Sequence, residues 1–371
     1  MIRKILITLF SIVLLFILTI VMFLNFSSQF GKAPSKEDTA EFEKLPYYSD
    51  GKFQNLIPTN MDMDFWESVK LLPEFFKNDP TRKPDFQFPY DRVDSLQLTK
   101  NSLSRLIWFG HSAFLLQMDG KNILLDPMFG DVPAPHPWLG KKRYAASLPI
   151  EVEKLPEIDL VLFSHDHYDH LDYESVQKMK DKTKEFYVPL GVGSHLKSWG
   201  VAPEKIHEMN WWQEAETQDL FLAFTPTRHF SGRGLGDRFS TLWGSWVIQG
   251  NKEKIYFSGD SGYGSHFKEI GEKYGPFDFA MMECGQYNEK WKDIHMMPEE
   301  TAQAAVDIQA RAMMPIHWAA FTLALHTWTD PVERVLVKAE ELNMSIIVPK
   351  IGSEIQISKE MQLGEKWWIK P

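Results

Sequence analysis

The chain begins with one long apolar run and continues with short apolar stretches that end in polar side chains. Residues 5–24 carry no charge, and their length predicts a helix able to cross a hydrocarbon core of roughly 30 Å. Short runs rich in Ile, Leu, Val and Phe predict buried strands at 122–125, 159–163, 220–224, 254–258 and 312–316. Histidine or aspartate follows each run within a few residues, so the pattern places potential ligand groups at strand ends.

The strand predicted at 159–163 leads directly into the sequence SHDHYDHLD. At a spacing of two, His165 and His167 point the same way, while Asp169 and His170 continue round a turn to a second position. Buried carboxylate and imidazole groups are costly without partners. The spacing therefore favours a cluster that supplies ligands to two metal ions. A solvated polar loop is the less favoured interpretation.

Three later residues stand alone at predicted strand ends: His229, Asp260 and His317. Each by itself is more typical of a structural residue than of a ligand. Small residues, Ser258 and Gly259, precede Asp260 and leave room for a metal to approach. Downstream of the histidine cluster, the three together predict a complete set of seven metal ligands.

Nine motifs occur in order along residues 108–321. They are WFGHSAF, LLDPMF, SHDHYDHLDY, TPTRHFSGR, LWGSW, YFSGDSGY, GPFDFA, HMMPEE and PIHWAAF. Together they resemble the metallo-β-lactamase-fold hydrolases, and most closely the N-acylphosphatidylethanolamine-hydrolysing phospholipases D. The similarity covers about residues 100 to 355. It implies an α/β fold, a four-layer αβ/βα sandwich with a dinuclear site at one edge of two sheets, and it is the only basis for expecting a homodimer.

The resemblance also implies how the ligands divide between two metal ions. The first ion would be held by His165, His167 and His229, and the second by Asp169, His170 and His317. Asp260 would bridge the two. The residues expected to be catalytic are Asp169, Asp260 and His295.

The chemistry of these ligands suits zinc, with iron or manganese as alternatives, because nitrogen and oxygen donors occur without a thiolate. The single cysteine, Cys284, lies outside the cluster. Two zinc ions about 3.5–4 Å apart would share a water, lower its pKa and hold a phosphoryl oxygen during in-line attack by hydroxide. No G-x-S-x-G elbow is present, which argues against a serine hydrolase.

Three further residues near the ligands have two interpretations each. Asp126 is either an acceptor for a ligating histidine's second N–H or a turn residue before Pro127. His111 either contacts a substrate phosphate or orients a ligand. His295 either contacts substrate or belongs to a helix start, because Pro298 and acidic residues follow it.

Size, net charge and cysteine content exclude some classes of partner and of covalent cross-link. With 371 residues and 44% hydrophobic content, the chain can bury one large core. The net charge of −10 makes extended binding to a phosphate backbone unfavourable, which excludes nucleic acid as an expected partner. One cysteine precludes an intramolecular disulfide and indicates no particular compartment.

The N-terminus indicates location. Arg3 and Lys4 precede the apolar run, so the positive-inside bias keeps the N-terminus in the cytoplasm and the hydrolase on the extracytoplasmic face. A cleaved signal peptide is the alternative, but its apolar core should be about 7–15 residues followed by a small-residue cleavage site. Residues 25–29 match such a site poorly. We expect an uncleaved single-pass membrane anchor over residues 1–30.

Residues 31–95 are predicted to be a linker and amphipathic extension, and residues 96–371 the catalytic domain. The linker is expected to be extended, except for an amphipathic helix between Met63 and Asn78 that Pro73 should kink or divide. This helix would either contact lipid or cover the domain's own core. Acidic residues among its polar positions favour the second interpretation.

The sequence therefore predicts a membrane-tethered dizinc phosphodiesterase that acts on a phospholipid or related amphiphile by phospholipase D-type cleavage. The first alternative is a metal-dependent hydrolase of lactones, β-lactams or other carbonyl esters. The second is a membrane-displayed binding protein without turnover.

Overall fold

The computed structural model of the chain describes residues 1–61, 65–87, 89–98, 104–357 and 364–370. Within these ranges the α-helices, named α1 to α8 in chain order, are Ile2–Phe26, Lys36–Phe42, Phe65–Phe76, Tyr173–Met179, Gly193–Ser198, His266–Tyr274, Pro298–Asp307 and Asp330–Glu341.

The strands are named β1 to β16 in chain order. They are Tyr48–Ser49, Lys52–Phe53, Arg105–Trp108, Phe114–Met118, Lys121–Leu125, Ile158–Leu162, Thr183–Pro189, Ile206–Met209, Glu214–Thr217, Leu220–Thr225, Ser245–Gln249, Lys254–Phe257, Phe279–Glu283, Ala312–Ile316, Ser345–Ile346 and Glu354–Gln356. The predicted strands before the ligands correspond to β5, β6, β10, β12 and β14.

Two seven-stranded mixed sheets carry the fold. The first has the order β16-β3-β4-β5-β6-β7-β8 and the second β15-β14-β13-β12-β11-β10-β9. In the first sheet, β5 to β8 run parallel and the other pairs are antiparallel. In the second, β12 to β15 run parallel. β1 and β2 form a separate hairpin.

The alternation of side chains explains the layering, because successive residues of a strand face opposite sides of a sheet. In β4, Phe114 and Leu116 join the core between the sheets, while Leu115 faces the outer side. That outer face is covered by α4 and α5, which supply Val176 and Leu196 among others. On the second sheet, α7 packs on β13 and α8 on β15. The result is the expected four-layer αβ/βα sandwich.

The N-terminal helix α1 lies outside this sandwich. Its span Ile2–Leu24 has a mean hydropathy of 3.1 and no buried residues, so it is long and apolar enough to cross a membrane. A signal sequence at the same place would share both properties.

The segment after α1 differs from the extended linker predicted for it. Residues 35–53 form α2 and the β1–β2 hairpin, and Phe42, Tyr48 and Phe53 are buried in the core that the two sheets share. The backbone N–H of Phe53 donates to the carbonyl of Phe239. Aromatic side chains spaced through a polar segment provide the burial, and the prediction gave too much weight to the charges between them.

The amphipathic helix exists as α3, which begins at Phe65; the predicted start at Met63 lies outside the described residues. Pro73 lies inside the helix and does not divide it. Its apolar face does not cover the core either: Trp66, Leu72 and Phe76 are 64%, 55% and 81% exposed.

Candidate metal centre

The seven predicted ligands meet at the edge of the sandwich where β6, β10, β12 and β14 end. The loop after β6 supplies four of them within six residues. It turns tightly because the backbone N–H groups of His170 and Leu171 both donate to the carbonyl of His167. Chain segments after β10, β12 and β14 supply His229, Asp260 and His317 from the second sheet.

One group of ligand atoms combines His165, His167, His229 and Asp260, whose donor atoms all lie within 4.8 Å of one another. Nε2 of His165 is 2.8 Å from Nδ1 of His167, which is 3.3 Å from Nε2 of His229. Oδ2 of Asp260 lies 3.8 Å from the His165 nitrogen and 3.7 Å from that of His229. Three imidazoles and one carboxylate thus converge on one point.

A second group combines Asp169, His170 and His317. Oδ2 of Asp169 lies 3.1 Å from Nε2 of His317 and 3.6 Å from Nε2 of His170. Oδ2 of Asp260 is also 3.0 Å and 3.2 Å from those two nitrogens. Asp260 is therefore in reach of both groups, which is the geometry that a bridging ligand requires.

The protonation of the first group fits a cation. Ser164 Oγ donates to Asp126, so it accepts from Nδ1 of His165 and leaves the Nε2 lone pair directed inward. Nδ1 of His229 donates to the carbonyl of Ile294 with the same result. His167 Nδ1 faces both lone pairs and can donate to only one of them. A positive ion at their meeting point would satisfy every nitrogen.

Two buried atoms, one in the second group and one in Asp260, support the same conclusion. Within the described residues, His170 Nε2 and Asp260 Oδ1 have no hydrogen-bond partner although both are shielded from solvent. Buried polar atoms are rarely left unpaired without a functional reason. The donor set of imidazoles and carboxylates suits zinc, iron or manganese.

Burial and charge shift the ligands' pKa values in opposite directions. Burial, together with neighbouring imidazoles, holds the pKa of His165 well below its usual range and lowers that of His229 in the same way. Burial also opposes the charge of His170, but the carboxylates of Asp260, Asp169 and Asp126 outweigh it and raise its pKa to about 10. The first group therefore holds neutral imidazoles, the form that binds metal.

Asp126 accepts a hydrogen bond from His170, one of the predicted ligands. Its Oδ2 lies 2.6 Å from Nδ1 of His170 and 2.5 Å from Ser164 Oγ. Its φ of +36° is unusual for a residue with a side chain. His111 and His317 also have positive φ, at +56° and +67°. Such strained residues concentrate at functional sites.

His111 belongs to the second group rather than to the rim of the site. Its Nε2 is 2.9 Å from Oδ2 of Asp169, and its ring centroid is 4.2 Å from that of His317. Burial and the neighbouring His317 lower its pKa to about 3. A neutral His111 donating to Asp169 would orient that carboxylate, which supports the orienting role over contact with substrate.

His295 lies beside the cluster and has a partner that the sequence did not single out. Its Nδ1 is 3.0 Å from Oε1 of Glu283, whose other oxygen accepts from the backbone N–H of Met296. Glu283 is the last residue of β13, so the strand-end pattern used for the other ligands would have found it. His295 lies three positions before the start of α7 at Pro298 and makes no capping hydrogen bond that the structure records.

A cavity of about 390 Å³ opens above the ligands. Its floor includes His167, Asp169, Asp260, His295 and His317. Its walls are mostly apolar and include Phe75, Phe230 and Trp291, with Arg238 and Lys290 also lining it. Phe75 of α3 stacks on Trp291 at 6.2 Å, so the helix with the exposed apolar face borders the cavity.

Comparisons with known proteins identify the family to which the chain belongs. Residues 121–318 match the family model described as "Beta-lactamase superfamily domain". An uncharacterised protein of Mycobacterium tuberculosis is 40% identical over 88% of each chain. The N-acyl-phosphatidylethanolamine-hydrolyzing phospholipase D 1 of Caenorhabditis elegans is 33% identical over 58% of this chain and 64% of its own. The crystal structure of a possible metal-dependent hydrolase from Veillonella parvula superposes with a TM-score of 0.55 at 15% identity, over 68% of this chain and 99% of that one.

Proposed function

Because this chain belongs to the β-lactamase superfamily and is a metal-dependent hydrolase of that family, we propose that it cleaves a phosphodiester bond of an amphiphilic phospholipid. The cleavage is of the phospholipase D type, and the specific substrate is N-acylphosphatidylethanolamine or a related lipid. The observation that carries the proposal is the cavity, because His/Asp ligands form its floor, apolar side chains form its walls, and two cations line it.

The cavity matches the two parts of such a substrate. Acyl chains are stabilised by contact with Phe75, Trp291 and the other apolar walls, since burying apolar surface is worth about 25 cal/mol per Å². A diester phosphate carries a negative charge, which the cations Arg238 and Lys290 attract. A neutral lactone would use neither cation.

The seven ligands would hold two divalent metal ions in the proposed partition, with Asp260 between them. Such ions, when bound, lower the pKa of a water molecule and neutralise the charge of phosphoryl oxygens. The protein's part is to orient the ligands: Asp126 holds His170, Ile294 holds His229, and His111 holds Asp169.

His295 is proposed to protonate the leaving group. Glu283 fixes its Nδ1–H, so Nε2 is the atom available to the cavity. Water oxygen forms a bond to phosphorus and gives up one proton to Nε2 of His295. The bond from phosphorus to the head-group oxygen breaks, and that oxygen takes the same proton from Nε2, so His295 ends in its starting form. The products are a phosphatidic acid and an N-acylethanolamine.

Two apolar surfaces support action at a membrane. Helix α1 would anchor the chain, with the catalytic domain extracytoplasmic as the basic residues Arg3 and Lys4 favour. The exposed face of α3, which borders the cavity through Phe75, would enter the lipid interface. A lipid could then pass from the bilayer into the cavity without crossing water.

The test is product identification by mass spectrometry. Purified full-length protein is incubated with vesicles of N-acylphosphatidylethanolamine or phosphatidylethanolamine, with zinc and then with a chelator. We expect zinc-dependent release of phosphatidic acid and N-acylethanolamine, lost in Asp260→Asn and kept in Asp159→Asn, a buried carboxylate at the start of β6. No product from either lipid, with turnover of nitrocefin or an acyl-lactone instead, would replace this proposal by carbonyl hydrolysis.

A further inference from the structure

The short segment that follows the N-terminal helix is fastened to the loop that carries four of the ligands. We name residues 27–32 the strap and residues 165–171 the ligand loop. We propose that the strap is a positioning element of the metal centre and acts on the ligand loop through Arg233 and His195. This inference rests on the proposed metal centre, and nothing in it depends on which substrate is cleaved.

Arg233 makes the first connection. Its guanidinium is buried, with Nη1 donating to the carbonyls of Asp166 at 2.5 Å and Leu171 at 2.7 Å. These two carbonyls stand at opposite ends of the ligand loop, so one group ties both ends together. Nη2 donates to the carbonyl of Gln29 in the strap at 2.8 Å. The guanidinium also lies over the ring of Tyr168 at 4.0 Å.

His195 makes the second connection. The backbone N–H of Lys32 donates to its Nδ1 at 2.9 Å, which leaves the ring proton on Nε2. Nε2 is 3.3 Å from Oδ2 of Asp166, the residue between the ligands His165 and His167. The Asp166 carboxylate also accepts from the backbone of Gly232 and from Thr241 Oγ1. A polar chain therefore runs from the strap to the middle of the ligand loop.

The strap has a third attachment that does not touch the ligand loop, since Nε1 of Trp199 donates to the carbonyl of Ser28 at 2.7 Å. These three attachments hold the six residues that come directly after α1. Releasing the strap would leave a buried guanidinium N–H and an imidazole nitrogen unpaired, and unpaired buried groups are costly. The ligand loop would then relax to recover those bonds, moving ligands that must stay within about 0.5 Å of their place.

Glycine substitutions separate this effect from general damage. Gly31 has a φ of +72°, and a Cβ there would lie 2.2 Å from Nδ1 of His195, so Gly31→Ala pushes the strap away from its partner. Gly51, in the β1–β2 turn, has a φ of +73° but nothing within 4 Å of an added Cβ. Gly51→Ala therefore imposes similar backbone strain without the collision and is the matched control.

The experiment compares the full-length wild type, Gly31→Ala and Gly51→Ala in detergent. Zinc affinity is measured by chelator competition, and hydrogen exchange of peptides covering the ligand loop is measured by mass spectrometry on the metal-free protein. We expect Gly31→Ala to bind zinc roughly tenfold more weakly, the size seen when groups that orient ligands are lost. Its ligand loop should exchange faster, while Gly51→Ala matches the wild type in both readouts.

Equal zinc affinity and equal exchange in the two glycine variants would overturn the proposal. If Gly31→Ala does not fold, Trp199→Phe replaces it, because that change removes the indole N–H that donates to the strap and part of the ring that lies 5.1 Å from the Arg233 guanidinium. Unchanged exchange of the ligand loop in Trp199→Phe would equally overturn the proposal. Neither readout requires lipid turnover: a wild type that binds zinc but cleaves no lipid would refute the proposed function and leave this comparison decisive.

Discussion

Nδ1 of His170 lies 2.6 Å from Oδ2 of Asp126, and both side chains are completely buried. The contact fixes which imidazole nitrogen faces Asp169 and Asp260, because Nδ1 is occupied by the carboxylate. Outer carboxylates of this kind fix the ligand ring and raise its basicity. Asp126 lies at the end of β5 and thereby connects that strand to the ligand loop after β6.

We expect Asp126→Asn to weaken metal binding by roughly ten- to a hundredfold, because an amide holds the histidine less firmly than a carboxylate does. Metal content after dialysis against graded zinc buffers measures the effect. Asp159→Asn is the control, since it removes a buried carboxylate that pairs with Lys184 at the opposite end of β6. Equal metal content in the two variants would contradict the role given to Asp126.

For His295→Ala we expect kcat to fall roughly a hundred- to ten-thousandfold, the usual contribution of a general acid or base. Glu283→Gln should give a smaller loss in the same direction, because it removes the charge that orients the imidazole. Zinc content should stay at the wild-type level in His295→Ala. The control is His207→Ala, which changes a half-exposed histidine on β8. If His295→Ala has the same kcat as this control, His295 has no role in the mechanism.

The exposed face of α3 gives a prediction about substrate source. With full-length protein reconstituted in lipid vesicles, Leu72→Ser with Phe76→Ser should lower kcat/KM for membrane-embedded substrate roughly thirtyfold, since each apolar side chain stabilises insertion by about 1 kcal/mol. A soluble short-chain substrate should be cleaved at the wild-type rate. Val337→Ser on α8, also an exposed apolar residue, is the control. Equal losses on both substrates would place the defect in the catalytic site.

Stability should depend on pH through His266, which is buried and 3.1 Å from Ser261 Oγ. Burial and the nearby charge of Arg228 lower its pKa to about 3. Well above pH 6.5 the residue is neutral in both folded and unfolded chains. As pH falls towards 3, only the unfolded chain takes up the proton, so stability is lost, by about 2 kcal/mol between pH 7 and pH 5.

Chemical denaturation of the metal-free protein at pH 7 and pH 5 measures this loss. The decrease in the free energy of unfolding should be about 2 kcal/mol smaller in His266→Asn than in the wild type. His207→Asn, which changes a 40% exposed histidine on β8, is the control variant. The same decrease in His266→Asn and wild type would show that the imidazole of His266 is not protected from protonation in the folded state.

The sequence predicted that the seven residues would lie close together because the signal is local. Strands such as β14 appear as short apolar runs, and the polar residue after each run, such as His317, lies at the same sheet edge as the others. The fold itself came from resemblance, since buried strands of a mixed sheet show no layer order in their periodicity.

What the sequence did not predict depends on contacts between distant segments. The pairing of Glu283 with His295 needs β13 and the start of α7 to meet, and the contact of Arg233 with Gln29 joins residues 204 positions apart. The exposure of α3 was also missed, because an amphipathic pattern specifies an apolar face without specifying what that face contacts.

Hydrolysis in ¹⁸O-labelled water tests metal-dependent cleavage at phosphorus most directly. Full-length zinc-loaded protein acts on N-acylphosphatidylethanolamine vesicles, and the products are analysed by mass spectrometry. We predict one ¹⁸O atom in the phosphate of phosphatidic acid and none in the N-acylethanolamine, with no product in Asp260→Asn. Label in a released fatty acid, or equal product formation after zinc is removed, would contradict the proposed reaction.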